Sequence, residues 1–168
     1  QSENIEVRLG TSFKDVESEI EGIKVIYTGP VDELLNYELG VLPYRSLRFE
    51  AEWTNNDLGH AVINEADKDI SYTRTHDYKY YQIHQPKVLT SKKSYLCKEY
   101  PADYEVGKEA YYPVNNADSE ALYQKYLNLL QGRYPNIILG GRLGAYRYWD
   151  MDVAIKNALD LASSILKK

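Results

Sequence analysis

The stretch NIILGGRLGAYRYWDMDVAIK, residues 136–156, decides how this chain is organised. Residues 136–139 are a short apolar run ended by Gly140-Gly141, the pattern of a buried strand running into a tight connection. From Met151 the period becomes helical. Met151, Ala154, Ile155, Ala158, Leu159, Ala162, Ile165 and Leu166 fall on one stripe of a last helix over 151–166, which the pattern predicts to be packed. Glycines allow close backbone approach, and a helix start presents unpaired N–H groups with partial positive charge, so an anionic or electron-rich ligand can sit there. The glycines do not follow GxGxxG. An ordinary strand–turn–helix with Asp150 as its cap accounts for the same spacing. What such a turn does not require is Arg142, Tyr146, Arg147, Tyr148, Trp149 and Asp150 crowded into one short loop.

Working outward, residues 23–27 (IKVIY) form a β-branched run closed by Thr28-Gly29-Pro30, a second buried strand entering a turn. Pro30 suits the first turn of a short helix through Leu34 and Leu35. Before it, Ile5, Val7 and Leu9 alternate as in a short strand. Phe13, Val16 and Ile20 take helical spacing over 12–20, with Ser12 as cap. From about residue 40 the texture changes. Leu47, Phe49, Ala51 and Trp53 alternate with Arg48, Glu50 and Glu52, predicting a half-buried strand. Further strands are predicted at 60–64, 70–74, 78–83 and 93–99. Thr54-Asn55-Asn56-Asp57 and Ala66-Asp67-Lys68-Asp69 mark turns between them, and such short connections favour antiparallel pairing. From about 116 the period is helical again, with Leu122, Tyr126, Leu129 and Leu130 on one face behind Asp118 or Ser119. The ends read as α/β and the middle as an antiparallel sheet. The fold class is therefore α+β, with the sheet inserted between elements of one layer.

Composition bounds the function. The chain has 168 residues, 43% apolar and 27% charged, enough to bury a core. A net charge of -5 argues against a general nucleic-acid binder. No apolar run approaches the ~18 residues of a membrane-spanning helix, and no signal peptide is visible. The single cysteine, Cys97, excludes an internal disulfide and points to a reducing, cytoplasmic setting. Starting at Gln1, with Met151 its only methionine, the chain reads as processed or cut from a longer one. Tyrosine is the anomaly: 17 Tyr stand against 2 Phe and 2 Trp, a choice that suits half-wet surfaces and clefts.

Two further groups of residues can carry chemistry. Alternation puts Asn64 and Arg74 on interior strands, where polar groups need partners. An arginine there can grip a carboxylate or phosphate bidentately, or simply pair with one of the chain's many acids. Tyr111-Tyr112-Pro113 precedes the helical C-terminal part. A tyrosine hydroxyl is a neutral donor suited to a phosphate oxygen, or it packs at a sheet edge. His60, His76 and His84 lack metal-ligand spacing, so no metal site is expected. Cys97 reads as inert packing, and Lys92-Lys93 and Lys167-Lys168 as solvated charge. No nucleophile elbow or phosphate loop is present.

On these residues the chain resembles a known family. GGRLGAYRYWDMD (140–152) resembles the C-terminal flavin-site signature of the bacterial UDP-galactopyranose mutases. KVIYTGPVD (24–32), LPYRSLRFE (42–50), INEADKDISYTR (63–74) and AYYPVN (110–115) match in order, so the resemblance extends over nearly the whole chain. It implies the C-terminal portion of a mutase. Residues 1–38 and 114–168 would then be strand and helix elements of a Rossmann-like FAD-binding domain, and 39–113 its antiparallel substrate-side sheet. The family's GxGxxG unit and helical domain with a mobile loop have no counterpart in the sequence.

The resemblance also implies an activity. The family interconverts UDP-galactopyranose and UDP-galactofuranose with reduced FAD, whose N5 is taken to attack the anomeric carbon and displace UDP. No catalytic residue beyond flavin N5 is implied. Arg74 would pair with the diphosphate, Tyr112 and Tyr148 would donate to phosphate oxygens, and Asn64 would contact substrate. Arg142 would contact FAD, Asp150 would lie beside the flavin, and Met151, Asp152, Val153, Ala154, Ile155 and Lys156 would offer the helix start to its pyrimidine edge. The parent would be a cytoplasmic homodimer without nucleic-acid or membrane partners. The fragment alone would be colourless and inactive. One departure is that His76-Asp77-Tyr78 follows Arg74 where the family often has an acid and then His. Two other classes remain open: a Tyr-rich, non-catalytic carbohydrate- or nucleotide-binding module, and part of another two-domain flavin oxidoreductase.

Overall fold

A computed structural model describes residues 3–166; Gln1 and the lysines at 167 and 168 lie outside the described residues. The chain forms two compact units: residues 1–43 together with 112–168, and residues 44–111.

The first unit is built on a two-stranded parallel ladder. Strand β1 (Val25–Tyr27) pairs with β7 (Ile137–Leu139) in the register Val25↔Ile137, Tyr27↔Leu139. Helix α1 (Phe13–Val16) precedes β1, and helix α2 (Val31–Leu34) follows directly after Pro30. After the short strand β6 (Tyr112–Pro113) comes helix α4 (Ala117–Arg133), then β7, a single turn α5 (Gly141–Gly144), and α6 (Met151–Leu166). The core consists of Val31, Leu34, Leu35 and Leu42 with Tyr123, Tyr126, Leu130, Ile137 and Tyr146. Its tyrosines bury their rings and spend their hydroxyls on backbone. Tyr126 donates to the Gly40 carbonyl (2.6 Å) and accepts from the Leu39 N–H (3.1 Å), while Tyr123 donates to the Gly144 carbonyl (2.9 Å). Buried phenols avoid the desolvation cost only when paired in this way.

The second unit is an antiparallel sheet in the order β3-β4-β5-β2, formed by β2 (Tyr44–Thr54), β3 (Val62–Asn64), β4 (Arg74–Asp77) and β5 (Ser94–Asp103). A small helix α3 (Pro86–Leu89) lies between β4 and β5 in the sequence. The β2–β5 ladder is the longest, running from Arg45↔Asp103 to Thr54↔Ser94.

Several sequence expectations are corrected. Residues 5–9 form no strand. Ile5, Val7 and Leu9 are exposed, and no ladder partner meets them among the described residues. The 12–20 helix is one α turn followed by a 3₁₀ turn over Glu17–Glu19. The strand expected at 70–74 begins only at Arg74, because Asp67 ties its Oδ1 to the Asp69 N–H (2.9 Å) and its carbonyl to the Ile70 N–H (3.2 Å), prolonging the turn. The strand expected at 78–83 is a 3₁₀ turn over Tyr78–Tyr81. The Asp77 carboxylate accepts from the Lys79 N–H (3.1 Å) and offers the backbone a local alternative to the ladder. Helix α4 is capped by Asn116, which accepts from the Ser119 N–H, rather than by Asp118 or Ser119. The apolar face of β2 is uncovered at Phe49 and Trp53. The stripe of α6 is uncovered too, with no buried residue in that helix. A helical stripe specifies an apolar face but not what covers it.

Two predictions follow from the packing of the first unit. A Cβ on Gly144 would stand 2.8 Å from the Tyr27 carbonyl oxygen, so Gly144→Ala forces α5 off the end of β1. The expected loss is about 1–3 kcal/mol, read as a lower denaturant midpoint with unchanged slope. Burial also pushes the phenols of Tyr123 and Tyr27 up to about 12, with carboxylates near Tyr27 adding to its shift. The folded chain therefore keeps phenolic protons that the unfolded chain releases above its ordinary value of about 10. Their contribution is intact below pH ~10 and is lost as the pH rises toward 12, by roughly 2–3 kcal/mol for each group. Denaturation midpoints measured across that range should fall steeply.

Candidate functional site

In the first unit, β7 ends at Leu139 and the chain turns through Gly140 and α5 into the aromatic loop. The fold itself requires the glycines here. Gly141 adopts φ +69°, and side chains at Gly140, Gly141 and Gly144 would meet Ile26, Thr28 and the Tyr27 carbonyl. The loop is set by Tyr146, which is fully buried at φ 49°. Its hydroxyl lies 2.7 Å from the Pro43 carbonyl and 3.1 Å from that of Val114, its ring stacks on Tyr123, and its carbonyl accepts from Asn115 Nδ2 (3.0 Å). Tyr148, two residues further along this irregular loop, lies at the surface and is 61% exposed.

This arrangement gathers three of the predicted residues. The rings of Tyr112 and Tyr148 lie 5.4 Å apart, and the Arg142 guanidinium sits 5.2 Å from the first and 5.5 Å from the second. Arg142 Nε donates to the Trp149 carbonyl (3.0 Å), and Nη2 donates to the same oxygen. The guanidinium is thus oriented by a neutral acceptor and keeps its whole charge. Arg147, by contrast, is occupied. It donates to both oxygens of Glu120, which holds that carboxylate below the usual range. Asp150 is exposed and its carbonyl accepts from the Ala154 N–H (2.9 Å), which places it at the start of α6. Met151, Asp152, Val153, Ile155 and Lys156 are exposed on the first turns, with Ala154 partly covered. Lys156 pairs with Asp160 along the helix. A groove of about 490 Å³ opens between α6 and the end of the parallel ladder, lined by Ile26, Thr28, Gly141, Trp149 and Leu161 among others.

In the second unit, Asn64 and Arg74 are direct ladder partners, and Arg74 is in turn opposite Glu99, which is opposite Phe49. Partners in register share a sheet face, so Asn64, Arg74, Glu99 and Phe49 form one row across four strands. Arg74 Nε lies 3.5 Å from Glu99 Oε1, sealed from solvent but without hydrogen-bond geometry. The other Glu99 oxygen lies 3.5 Å from His76 Nε2, and His76 Nδ1 is hydrogen-bonded to the Tyr81 hydroxyl (2.9 Å). Tyr78, Tyr81, Tyr95 and Trp53 continue outward from His76 as an exposed aromatic tract. Glu99 escaped the sequence reading because only the β4–β5 register brings it to Arg74, and Tyr81 because the 3₁₀ turn carries it back to His76; His76 itself stood out only as a departure from the family pattern. The one signal available was a lone acid in the 93–99 run. Cys97 is buried on β5, and burial raises its thiol, in keeping with an unreactive packing role. Among the described residues no group of His, Cys, Asp or Glu is arranged to hold a metal, and no helix is long and apolar enough to cross a membrane.

The comparisons with known proteins agree with one another. The family model described as UDP-galactopyranose mutase matches residues 1–148. A Klebsiella pneumoniae protein named as a probable UDP-galactopyranose mutase is 38% identical over 98% of this chain and 41% of its own length. The dTDP-fucopyranose mutase of Escherichia coli is 34% identical over 98% of this chain and 44% of its own. A UDP-galactopyranose mutase of Mycoplasma pneumoniae is 36% identical over 85% of this chain and 36% of its own. The chain spans about two fifths of the length of these curated relatives. With most of its residues matched by that family model, from the strand pair of the first unit to the Tyr148 loop, the chain belongs to the UDP-galactopyranose mutase family.

Proposed function

We propose that this chain is the C-terminal portion of a flavin-dependent mutase that interconverts the pyranose and furanose forms of a nucleotide-linked galactose, UDP-galactopyranose and UDP-galactofuranose. The observation that supports this best is the convergence of Arg142, Tyr112 and Tyr148, drawn together from segments far apart in the sequence. A structural arginine would be neutralised by a carboxylate, as Arg147 is by Glu120. Arg142 is oriented without being neutralised, flanked by two hydroxyl-bearing rings. That is an arrangement for meeting an anion.

The residues fit part of a flavin site. α6 presents an exposed, 16-residue helix whose start favours negative charge, and Arg142 is anchored to the loop leading into it. When bound, reduced FAD would supply the nucleophilic N5 for the anomeric carbon. Arg142, Asp150 and residues 151–156 would hold the cofactor. In the sheet unit Arg74 would pair with the substrate diphosphate, with Asn64 beside it in the ladder; in the other unit Tyr112 and Tyr148 would donate to phosphate oxygens. Neutral donors hold a diphosphate that must leave and return, without binding it too tightly. The parts of the chain at 1–38 and 114–168 would belong to a Rossmann-like FAD domain, and 39–113 to the substrate side. The parent would work in the cytoplasm as a homodimer.

The E. coli relative favours a second reading, the same ring contraction on a dTDP-linked sugar. The diphosphate is common to both, so Arg74 and the tyrosines keep their roles. Turnover by the full-length parent with dithionite-reduced flavin, offered UDP-galactose and dTDP-fucopyranose side by side, separates the readings. Turnover of neither removes both and returns the chain to a non-catalytic binding module.

Two outcomes follow. The 168 residues alone should purify without flavin, because one helix start, one arginine and a few aromatics do not offset the ordering and association costs of so large a cofactor. A near-stoichiometric flavin absorbance band would contradict this. In the parent, Arg74→Ala should weaken UDP binding about 30-fold or more, against about 10-fold or less for Tyr112→Phe. Titration with UDP checks the order, and flavin content should be the same in both variants. If both bind UDP normally, Arg74 is only Glu99's structural partner.

A further inference from the structure

We infer that Glu99 and His76 are positioning residues that set the charge and orientation of Arg74, an inference that rests on Arg74 being the diphosphate ligand. Glu99 is the key group because its side chain is only 9% exposed and lies between two basic side chains. Its Oε1 faces Arg74 Nε at 3.5 Å and accepts from the Thr73 hydroxyl at 3.3 Å. Its Oε2 faces His76 Nε2 at 3.5 Å. His76 is held in turn by the Tyr81 hydroxyl at Nδ1 and by the flanking rings of Tyr78 and Tyr81.

The contact with Arg74 is incomplete. Its Nε is sealed from solvent yet makes no hydrogen bond, while the side chain as a whole remains 41% exposed. An arginine closed on a carboxylate would present both members of its fork to that partner. Here the carboxylate is divided between two neighbours, Oε2 facing His76 and Oε1 facing Arg74, each at 3.5 Å. The guanidinium is therefore aimed by its inner nitrogen and keeps its outer nitrogens for a ligand. Glu99 also withdraws part of the guanidinium's charge, which weakens its pull on a diphosphate but fixes its direction.

Two substitutions in the flavin-loaded, full-length protein move UDP affinity in opposite directions. Glu99→Gln removes the competing charge and loosens the aim. UDP should bind about two- to fivefold more tightly, while kcat falls about tenfold because the diphosphate is no longer held in one place. His76→Phe keeps a ring against Tyr78 and Tyr81 but releases Oε2. Glu99 then turns both oxygens to Arg74, and UDP should bind about two- to fivefold more weakly. A merely structural carboxylate would weaken UDP in both variants or leave both unchanged, and either result overturns the inference. Should Glu99→Gln fail to fold, unchanged UDP binding in His76→Phe overturns it alone. Arg74→Ala is titrated in parallel. If it binds UDP normally, the diphosphate reading itself has failed. If it binds weakly while the other two variants do not diverge, only this inference has failed.

Discussion

The buried phenol of Tyr146 is the constraint on which the first unit depends. Pro43 and Val114 stand close to the two points where the chain leaves for the sheet unit and comes back, and the Tyr146 hydroxyl lies within hydrogen-bond distance of both carbonyls. The Val114 N–H donates to the Pro43 carbonyl as well (3.0 Å). The Val114 carbonyl accepts from the Ser119 hydroxyl too (2.8 Å), so several bonds hold the two crossings together, and drawing them apart would take hydrogen-bond partners from the buried Tyr146 phenol, at a cost of about 1–3 kcal/mol. The same residue takes a positive φ, which directs the chain after it outward. Tyr146 thereby anchors the loop that carries Tyr148 and the Trp149 carbonyl to which Arg142 is fastened.

The tyrosine excess acquires a different explanation from the one composition suggests. Tyr123, Tyr126 and Tyr146 are among the most buried side chains in the first unit, and each hydroxyl meets a backbone carbonyl in a loop or at a crossing. The loop after α2 runs through Asn36 and Tyr37 at positive φ and bonds much of its own backbone, but leaves the Leu39 and Leu42 N–H groups and the Gly40 carbonyl to side chains. Tyr126 and the buried Asp32, which accepts from the Leu42 N–H (2.9 Å), supply the missing partners. Tyrosine rather than phenylalanine is needed because the core is crossed by irregular backbone. The half-wet use foreseen from composition appears at Tyr112 and Tyr148, along the Tyr78–Tyr95 tract, and at Tyr80 and Tyr134, whose hydroxyls meet the carboxylates of Asp57 and Glu17.

Elements whose signals are local were legible in the sequence. The β1 run closed by Thr28-Gly29-Pro30, the β7 run closed by two glycines, and the two long helices all carry their own start and stop chemistry. What failed depended on a partner or on a competitor. Alternation over 5–9 is a strand only if a ladder receives it. The run at 78–83 lost to an aspartate that bonds its backbone two residues on. The stripe of α6 gave the helix but not its cover. At the candidate site, Arg142, Tyr112 and Tyr148 were nameable from residue type and family likeness. The Glu99–His76 support was not, because it exists only through the pairing of Arg74 with Glu99 and of His76 with Cys97.

Arg142 and Arg74 illustrate two ways of keeping a positive charge available. Arg142 is fastened through Nε and Nη2 to a carbonyl, which orients it without cancelling charge, and the adjoining rings add a cation–π attraction of about 0.5–1 kcal/mol at exposed sites. Arg74 faces a buried carboxylate that by itself would capture it. Its availability depends on a second base drawing that carboxylate the other way. The first device is insensitive to its neighbours' ionisation, since no acid takes part. The second is a balance, in which any change to the His76 side alters the charge left on Arg74. A group that binds a constant cofactor is served by the first arrangement. On the proposed reading Arg74 would have to hold and release a diphosphate in each turnover, and the second arrangement suits that, because partial neutralisation keeps the bound state from becoming a trap.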